Sequence, residues 1–401
     1  MAERYVSRGK RARQRLATNS GTSLASPLSR TCAPDQVSRS TGSALRFAAM
    51  SYEDGWAAIN LEMPDRIPRT EYSVEGHWDL VTAVTGIEVG VESPFELQLE
   101  AALALMRAWN FDLFWSTLIF HLEFGETYTD MGHGEYAAGG VDRRDTKFCP
   151  FEDPEEVLSF DPWERLGAKD KTELTHRFES HYRANCARHG FGVNMTGTYI
   201  TLVSGFIDLF GWEMLLLAAG TDPRRFGELA NRYASWMQQY FDALAEADVP
   251  VVMVHDDIVW SSGTIFRPSW YREYVFPNYK KYFAPLLDSG KKILFCSDGN
   301  FDRYVDDIAE TGVHGFVFEP LTDLDAIVER YGKTHVIVGN ADTRILLTGT
   351  KEKIRAEVER CIARGRNCPG YFMAVGNHIP ANTPVENALY YNQVYEELSR
   401  R

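Results

Sequence analysis

Residues 251–257 read VVMVHDD and residues 292–300 read KILFCSDGN. In each, a short apolar run breaks into titratable residues. Runs of this length, rich in β-branched and aromatic residues and bounded by Asp, Asn or Gly, read as strands. Apolar residues on both faces mark them as parallel strands covered on two sides. The same grammar recurs at 193–199 (VNMTGTY), 315–320 (GFVFEP), 335–342 (HVIVGNAD) and 371–378 (YFMAVGNH), and in weaker form at 66–72 (RIPRTEY) and 112–118 (DLFWSTL). Helical periodicity fills the gaps best at 224–247, 269–289, 301–311 and 351–364. Eight strands alternating with helices predict an α/β fold, a single (β/α)₈ TIM barrel, with chemistry at the strand exits. No G-x-G-x-x-G turn follows an early strand, so a dinucleotide-binding sheet has nothing to rest on.

Composition sets the bounds. The chain has 401 residues, 44% hydrophobic and 24% charged, enough for one large core, and a net charge of −14. That charge argues against nucleic acid or an anionic membrane as partner, since both demand a basic face. Residues 1–49 hold nine basic and two acidic residues, a net of +7, which leaves −21 for the remainder. This Ser-, Thr- and Arg-rich stretch lacks apolar periodicity. It reads as a disordered basic extension, as a segment upstream of a natural start at Met50, or as a transit peptide. The barrel is expected over residues 50–401. Six cysteines without paired spacing suggest reduced thiols and a cytoplasmic location. The apolar runs read as too short for the ~18 residues of a membrane span, so none is expected.

The strand exits carry the candidate chemistry. His255, Asp256 and Asp257 follow VVMV, and paired acids of this kind can divide the roles of acid and base; helix capping by Asp is the plain alternative. Cys296 and Asp298, two apart, project to one side of their strand. They could ligate zinc, or pack as a buried thiol and a turn acid. Gly299 allows a sharp turn there. Glu319 follows GFVF as an acid or base, Asn340 follows HVIV with Asp342 as a helix cap, and Asn377 and His378 follow YFMAV. Glu71 and His77 succeed the first strand. His133 lies with Asp130, Glu135 and Tyr136 in a glycine-rich loop of lid length. Tyr199 and Trp260 are candidate aromatic walls, although core packing is the commoner role for such rings.

The segments HDDIVWSSGTIFRPSWYREYVFPNYKK, ILFCSDGNFDRYVDDIAETGVHGFVFEP, HVIVGNADTRILLTGT and YFMAVGNHIPANTPVEN resemble the uroporphyrinogen decarboxylase superfamily, whose members include zinc-dependent, corrinoid-linked methyltransferases. GWAAINLEMPDRIPRTEY resembles the usual opening of that family, so the likeness covers nearly all of 51–401. It implies a barrel with its site at the strand C-termini. The decarboxylases carry an early R-Q-A-G-R motif that grips substrate carboxylates; here the region reads RIPRTEYSVEGHW, without that grip. The methyltransferases carry H-x-C-G and P-G-C-G motifs that supply zinc ligands. Cys296 stands at the place of that His, Asp298 at that of the first Cys and Asn377 at that of the last, with His378 beside it. The likeness therefore implies a Cys296/Asp298/His378 zinc site and a corrinoid held by a partner protein.

The expected function is that of a methyltransferase-like barrel enzyme, moving a methyl group between a small organic substrate and a corrinoid or thiol acceptor with zinc assistance. His255, Asp256, Asp257 and Glu319 would act catalytically, and Glu71, His77, His133, Tyr199, Trp260, Asn340 and Asn377 would bind substrate. A metal-free decarboxylase and a non-catalytic binding barrel are the competing readings. Expected partners are the small-molecule substrate, a corrinoid protein and a second copy in a homodimer.

Overall fold

A computed structural model describes residues 44–129 and 148–401, with side chains from residue 52 onward. The first 43 residues of the expected extension, and His133 with its loop, lie outside the described residues. The first helix among the described residues, Ala44–Ile59, runs across the boundary expected at residue 49.

The strands are β1 (Leu113–Phe114), β2 (Val193–Asn194), β3 (Thr196–Thr198), β4 (Val251–His255), β5 (Val259–Trp260), β6 (Gly263–Thr264), β7 (Lys292–Ser297), β8 (Gly315–Phe318), β9 (Val336–Val338) and β10 (Tyr371–Phe372). A six-stranded sheet runs in the order β10-β9-β8-β7-β4-β3, all parallel, while β1 pairs with β2. The eighth position is residues 66–72. Arg69 bridges Met373 in parallel, and the Asp112 amide donates to the Arg69 carbonyl at 2.9 Å. The ring thus closes at all eight predicted positions. Residues 66–72 enter as an extended segment rather than a full ladder strand because Pro68 has no N–H to give; its carbonyl still accepts from the Met373 amide at 2.8 Å. β5 and β6 form a separate antiparallel hairpin.

Alternation along the strands divides the apolar residues into two layers. Val251, Met253, Leu294, Val317, Val338 and Phe372 fill the barrel interior together with Ala58 and Ile59 of the first helix. Val252, Val254, Ile293, Phe295, Phe316 and Ile337 face outward into the helical shell. Burying each such side chain contributes roughly 1.5–3 kcal/mol. Helices begin on carboxylate caps at Asp153, Asp161, Asp170, Asp222, Asp323 and, as expected, Asp342.

Two expectations need correction. The helix Val203–Thr221 has 19 residues and a mean hydropathy of 1.4, which by length and composition would cross a membrane. However, 67% of that window is buried inside the protein, and its apolarity serves the core. Cys149, Cys296, Cys361 and Cys368 are free thiols, but Cys186 is disulfide-bonded.

Gly197 tests the tightness of the ring. A Cβ there would lie 1.8 Å from the Met253 carbonyl oxygen on the neighbouring strand, whereas one at Gly220 meets nothing within 4 Å. We expect Gly197→Ala to lower the unfolding free energy by about 2 kcal/mol or more, and Gly220→Ala to leave it unchanged or raise it slightly. Urea midpoints of the two variants check this.

Candidate active site

Strand parity decides which exit residues meet. On β4, Val251 and Met253 point inward, so His255 and Asp257 share the interior face and Asp256 takes the other. On β7 the interior face carries Leu294 and Cys296 and continues to Asp298. On β8 it carries Val317 and continues to Glu319. His255 and Cys296 are register partners. The acids acting electrostatically on the Cys296 thiol are Asp298, Asp257 and Glu319, and Tyr72 and Trp115 pack against the same interior.

Hydrogen bonds fix this group. The Asp298 amide donates to Asp257 Oδ1 at 2.9 Å, and the Gly299 amide donates to Glu319 Oε2 at 2.9 Å. Gly299 has φ +83°, and a Cβ there would meet the Trp260 carbonyl oxygen at 2.8 Å, so the turn needs glycine. Asn377 Nδ2 donates both to Asp298 Oδ2 at 3.0 Å and to Glu319 Oε1 at 2.7 Å. An open cleft of about 240 Å³ adjoins the group, bounded by Glu319, Asp342, Arg344, Asn377 and His378.

His255 is the most constrained member. Its ring stacks on Tyr199 with centroids 3.9 Å apart and planes 10° from parallel, and Trp115 stands edge-on to both rings at 6.3 Å. Nδ1 lies 3.0 Å from the Tyr199 carbonyl oxygen, which can only accept, so the proton sits on Nδ1. Nε2 then faces Asp257 Oδ1 at 3.2 Å. Burial disfavours the charged ring, yet Asp257 and the Tyr199 carbonyl hold its pKa above the ordinary 6.5. Burial, reinforced by Asp298 and Asp257, pushes the Cys296 thiol well above its usual 9.0, so the thiol keeps its proton at neutral pH.

The raised His255 pKa has a testable sign. A group that binds its proton more tightly when folded stabilises the protein fully below its unfolded pKa, and this is lost as pH rises through the folded value. The stability gap between wild type and His255→Gln should therefore be widest below pH 6.5 and shrink above it. A gap that grows with pH would contradict the assigned pair. Urea titrations from pH 5 to 9 read it out.

Several expected site residues are engaged elsewhere. Asp256 is fully buried and accepts from the amides of Leu202, Val203 and Ser204 at 3.0, 3.1 and 2.6 Å and from the Tyr279 hydroxyl, which makes it a helix anchor turned away from the barrel mouth. Glu71 faces outward and accepts from Arg69, Tyr391 and the Val375 amide. His77 caps the helix Trp78–Thr85 and is held 2.7 Å from the Thr383 carbonyl. Asn340 is buried between the Thr322 carbonyl and Arg360. Trp260 is 41% exposed and leans on Trp212 with centroids 5.6 Å apart. Sequence reasoning missed Tyr72 and Trp115; the signal available was their two-residue spacing from Thr70 and Leu113.

The expected zinc site is not assembled either. Among the described residues, no group of three or more His, Cys, Asp or Glu side chains is placed to hold a metal ion. His378 Nδ1 lies 2.6 Å from Ser73 Oγ, and burial pushes its pKa down to about 4. Cys296, Asp298 and His378 therefore do not fit as a zinc donor set.

A closed parallel barrel with titratable groups gathered at its strand exits is an architecture shared by many enzymes. The family model described as uroporphyrinogen decarboxylase (URO-D) matches residues 188–397, over half of the chain, and the chain belongs to that family. Uroporphyrinogen decarboxylase from Carboxydothermus hydrogenoformans is 29% identical over 177 residues, 44% of this chain and 49% of that relative. The enzyme of the same name from Thermus thermophilus is 28% identical over 171 residues, 43% of this chain and 48% of its own length. The chain thus spans about half the length of the curated relatives it matches. A methyltransferase from Methanosarcina mazei has the same fold, with a TM-score of 0.58 at 17% identity, over 88% of this chain and 98% of its own.

Proposed function

We propose that this chain is a methyltransferase-like enzyme that moves a methyl group between a small organic substrate and an acceptor, either a thiol or a corrinoid carried by a partner protein. The observation that carries this reading is the sign of the charge at the barrel mouth. Asp257, Asp298 and Glu319 gather there, while the arginines of the front segment turn away. Arg69 has no exposed side-chain surface and pairs with Glu71 at 2.7 Å, sandwiched between Tyr395 and Trp109. Arg66 is taken up by Asp112 and by Asp54. Neither arginine is placed to grip a substrate carboxylate, and a mouth of carboxylates repels a polycarboxylate ring.

On this reading His255 and Asp257 form a proton-holding pair. Asp257 keeps the imidazole protonated, and the stack on Tyr199 fixes its direction. Asn377, Asp298 and Glu319 position the substrate. The acceptor supplies the nucleophile that takes the methyl group.

The test incubates the purified protein with methylated phenols and methylated amines, a free thiol or a reduced corrinoid as acceptor, and in parallel with uroporphyrinogen. Methyl transfer above the protein-free rate is expected. Carbon dioxide release from uroporphyrinogen, without methyl transfer from any donor, would replace this reading with the decarboxylase.

A further inference from the structure

We propose a second activity, at the seam between the front segment and the last strand exit: Ser73 acts as a nucleophile toward short-chain carboxylic esters, with His378 as its base. It is separate from methyl transfer and uses neither His255 nor Asp257. Ser73 Oγ lies 2.6 Å from His378 Nδ1, the reach that a serine nucleophile and its base require. Ser73 sits at φ +60° and ψ 4°, a left-handed conformation that serine seldom adopts. Strain of this kind gathers at functional sites, where the surrounding structure must hold it in place. Here the hold comes from both sides. The Ser73 carbonyl accepts from the Gly76 amide at 3.1 Å, and the Tyr72 carbonyl accepts from the Ile379 amide at 3.1 Å.

The same contacts set the pair beside a cavity. Residues 72–73 run along residues 378–379, and His378 and Pro380 line the cleft of about 240 Å³. Pro320 and Leu321 add apolar wall, suited to a short acyl chain. Ser73 is half-buried rather than sealed. The His378 carbonyl accepts from the Thr343 hydroxyl at 2.5 Å, and burial pushes the imidazole pKa down to about 4. The ring is therefore uncharged at neutral pH and, with its own proton on Nε2, open to another at Nδ1. Arg344 on the cleft wall pairs with Asp342 through Nε and Nη2. Its Nη1 lies outside that pair and supplies the donor for a developing oxyanion.

The chemistry runs in two halves. The Ser73 oxygen bonds to the acyl carbon while its proton passes to His378 Nδ1. The ester C–O bond then breaks with its pair moving to the leaving oxygen, which takes the proton back from Nδ1. Water repeats the sequence on the acyl-serine and releases the carboxylic acid, restoring the hydroxyl.

Incubation of the purified protein with para-nitrophenyl acetate tests the proposal, read by nitrophenolate release and by peptide mass spectrometry. A burst of nitrophenolate is expected, with the acetyl group carried on Ser73. Ser73→Ala should lose both the burst and the label, with a thermal melt as the control for folding. His378→Gln should slow acylation by about 100-fold or more, the loss of a general base. Because His378 is packed into the seam and its replacement can disturb the fold, Ser73→Cys serves as a second variant. It keeps a nucleophile beside the imidazole, so the label should move to the thiol. A burst in Ser73→Ala equal to that of the wild type, or a label confined to other residues, would overturn the assignment. So would the absence of acyl-serine in the wild type at millimolar ester.

Discussion

Asp256→Ala is expected to lower the unfolding free energy by about 4 kcal/mol or more. The carboxylate collects three successive backbone amides and the Tyr279 hydroxyl in a fully buried position. The amides open the helix Val203–Thr221, whose positive end favours the anion. Burial raises the Asp256 pKa while the donors pull it back. Removing the side chain strands four donors, each orphan costing roughly 1–3 kcal/mol, with partial relaxation making the sum less than additive. Asp256→Asn should fall between, because an amide accepts at one oxygen and turns an NH₂ toward donors. Urea unfolding followed by circular dichroism reads this out, and a loss below 1 kcal/mol would show that the anchor does not hold the helix.

One residue further on, the outcome should invert. Asp257→Asn is expected to cut the rate of the proposed methyl transfer by roughly 100-fold, within the range of a lost acid–base partner, while shifting stability by less than about 1 kcal/mol. Asparagine still offers an oxygen to the Asp298 amide, and the Asp257 side chain is 14% exposed rather than sealed. It no longer supports a charged His255, so the imidazole pKa drops and activity that needs its proton is lost at lower pH than in the wild type. Rates across pH 5–9 for both proteins give the check, and coincident profiles would separate this pair from the chemistry.

These opposite phenotypes explain how much of the site can be read from sequence. VVMVHDD announces a buried strand with acids at its exit, and the eight such runs locate the whole ring. Yet VVMV is apolar on both faces, as a strand covered on two sides must be. The alternation therefore separates His255 and Asp257 from Asp256 without saying which set faces the interior. The same ambiguity misassigns Glu71, whose neighbours Thr70 and Tyr72 take the inner face. Cys296 and Asp298 do share one side, as expected, because two-residue spacing needs no knowledge of which side it is. His378 is illegible for another reason: it lies past the last strand, where the chain turns toward Ser73 and strand periodicity no longer governs direction.

The closing seam of the ring has a kinetic meaning. Residues 68–70 meet Met373 through a single bridge and two backbone hydrogen bonds, joining segments about 300 positions apart in sequence. Contacts of such separation form late, because the intervening chain must be ordered before they gain anything. Tyr72 hangs from one lip of this latch and Asn377 from the other. An open barrel could hold most of its helices and still have no assembled mouth, so hydrogen exchange at Thr70 and Met373 should report when the site is complete rather than when the chain is merely compact.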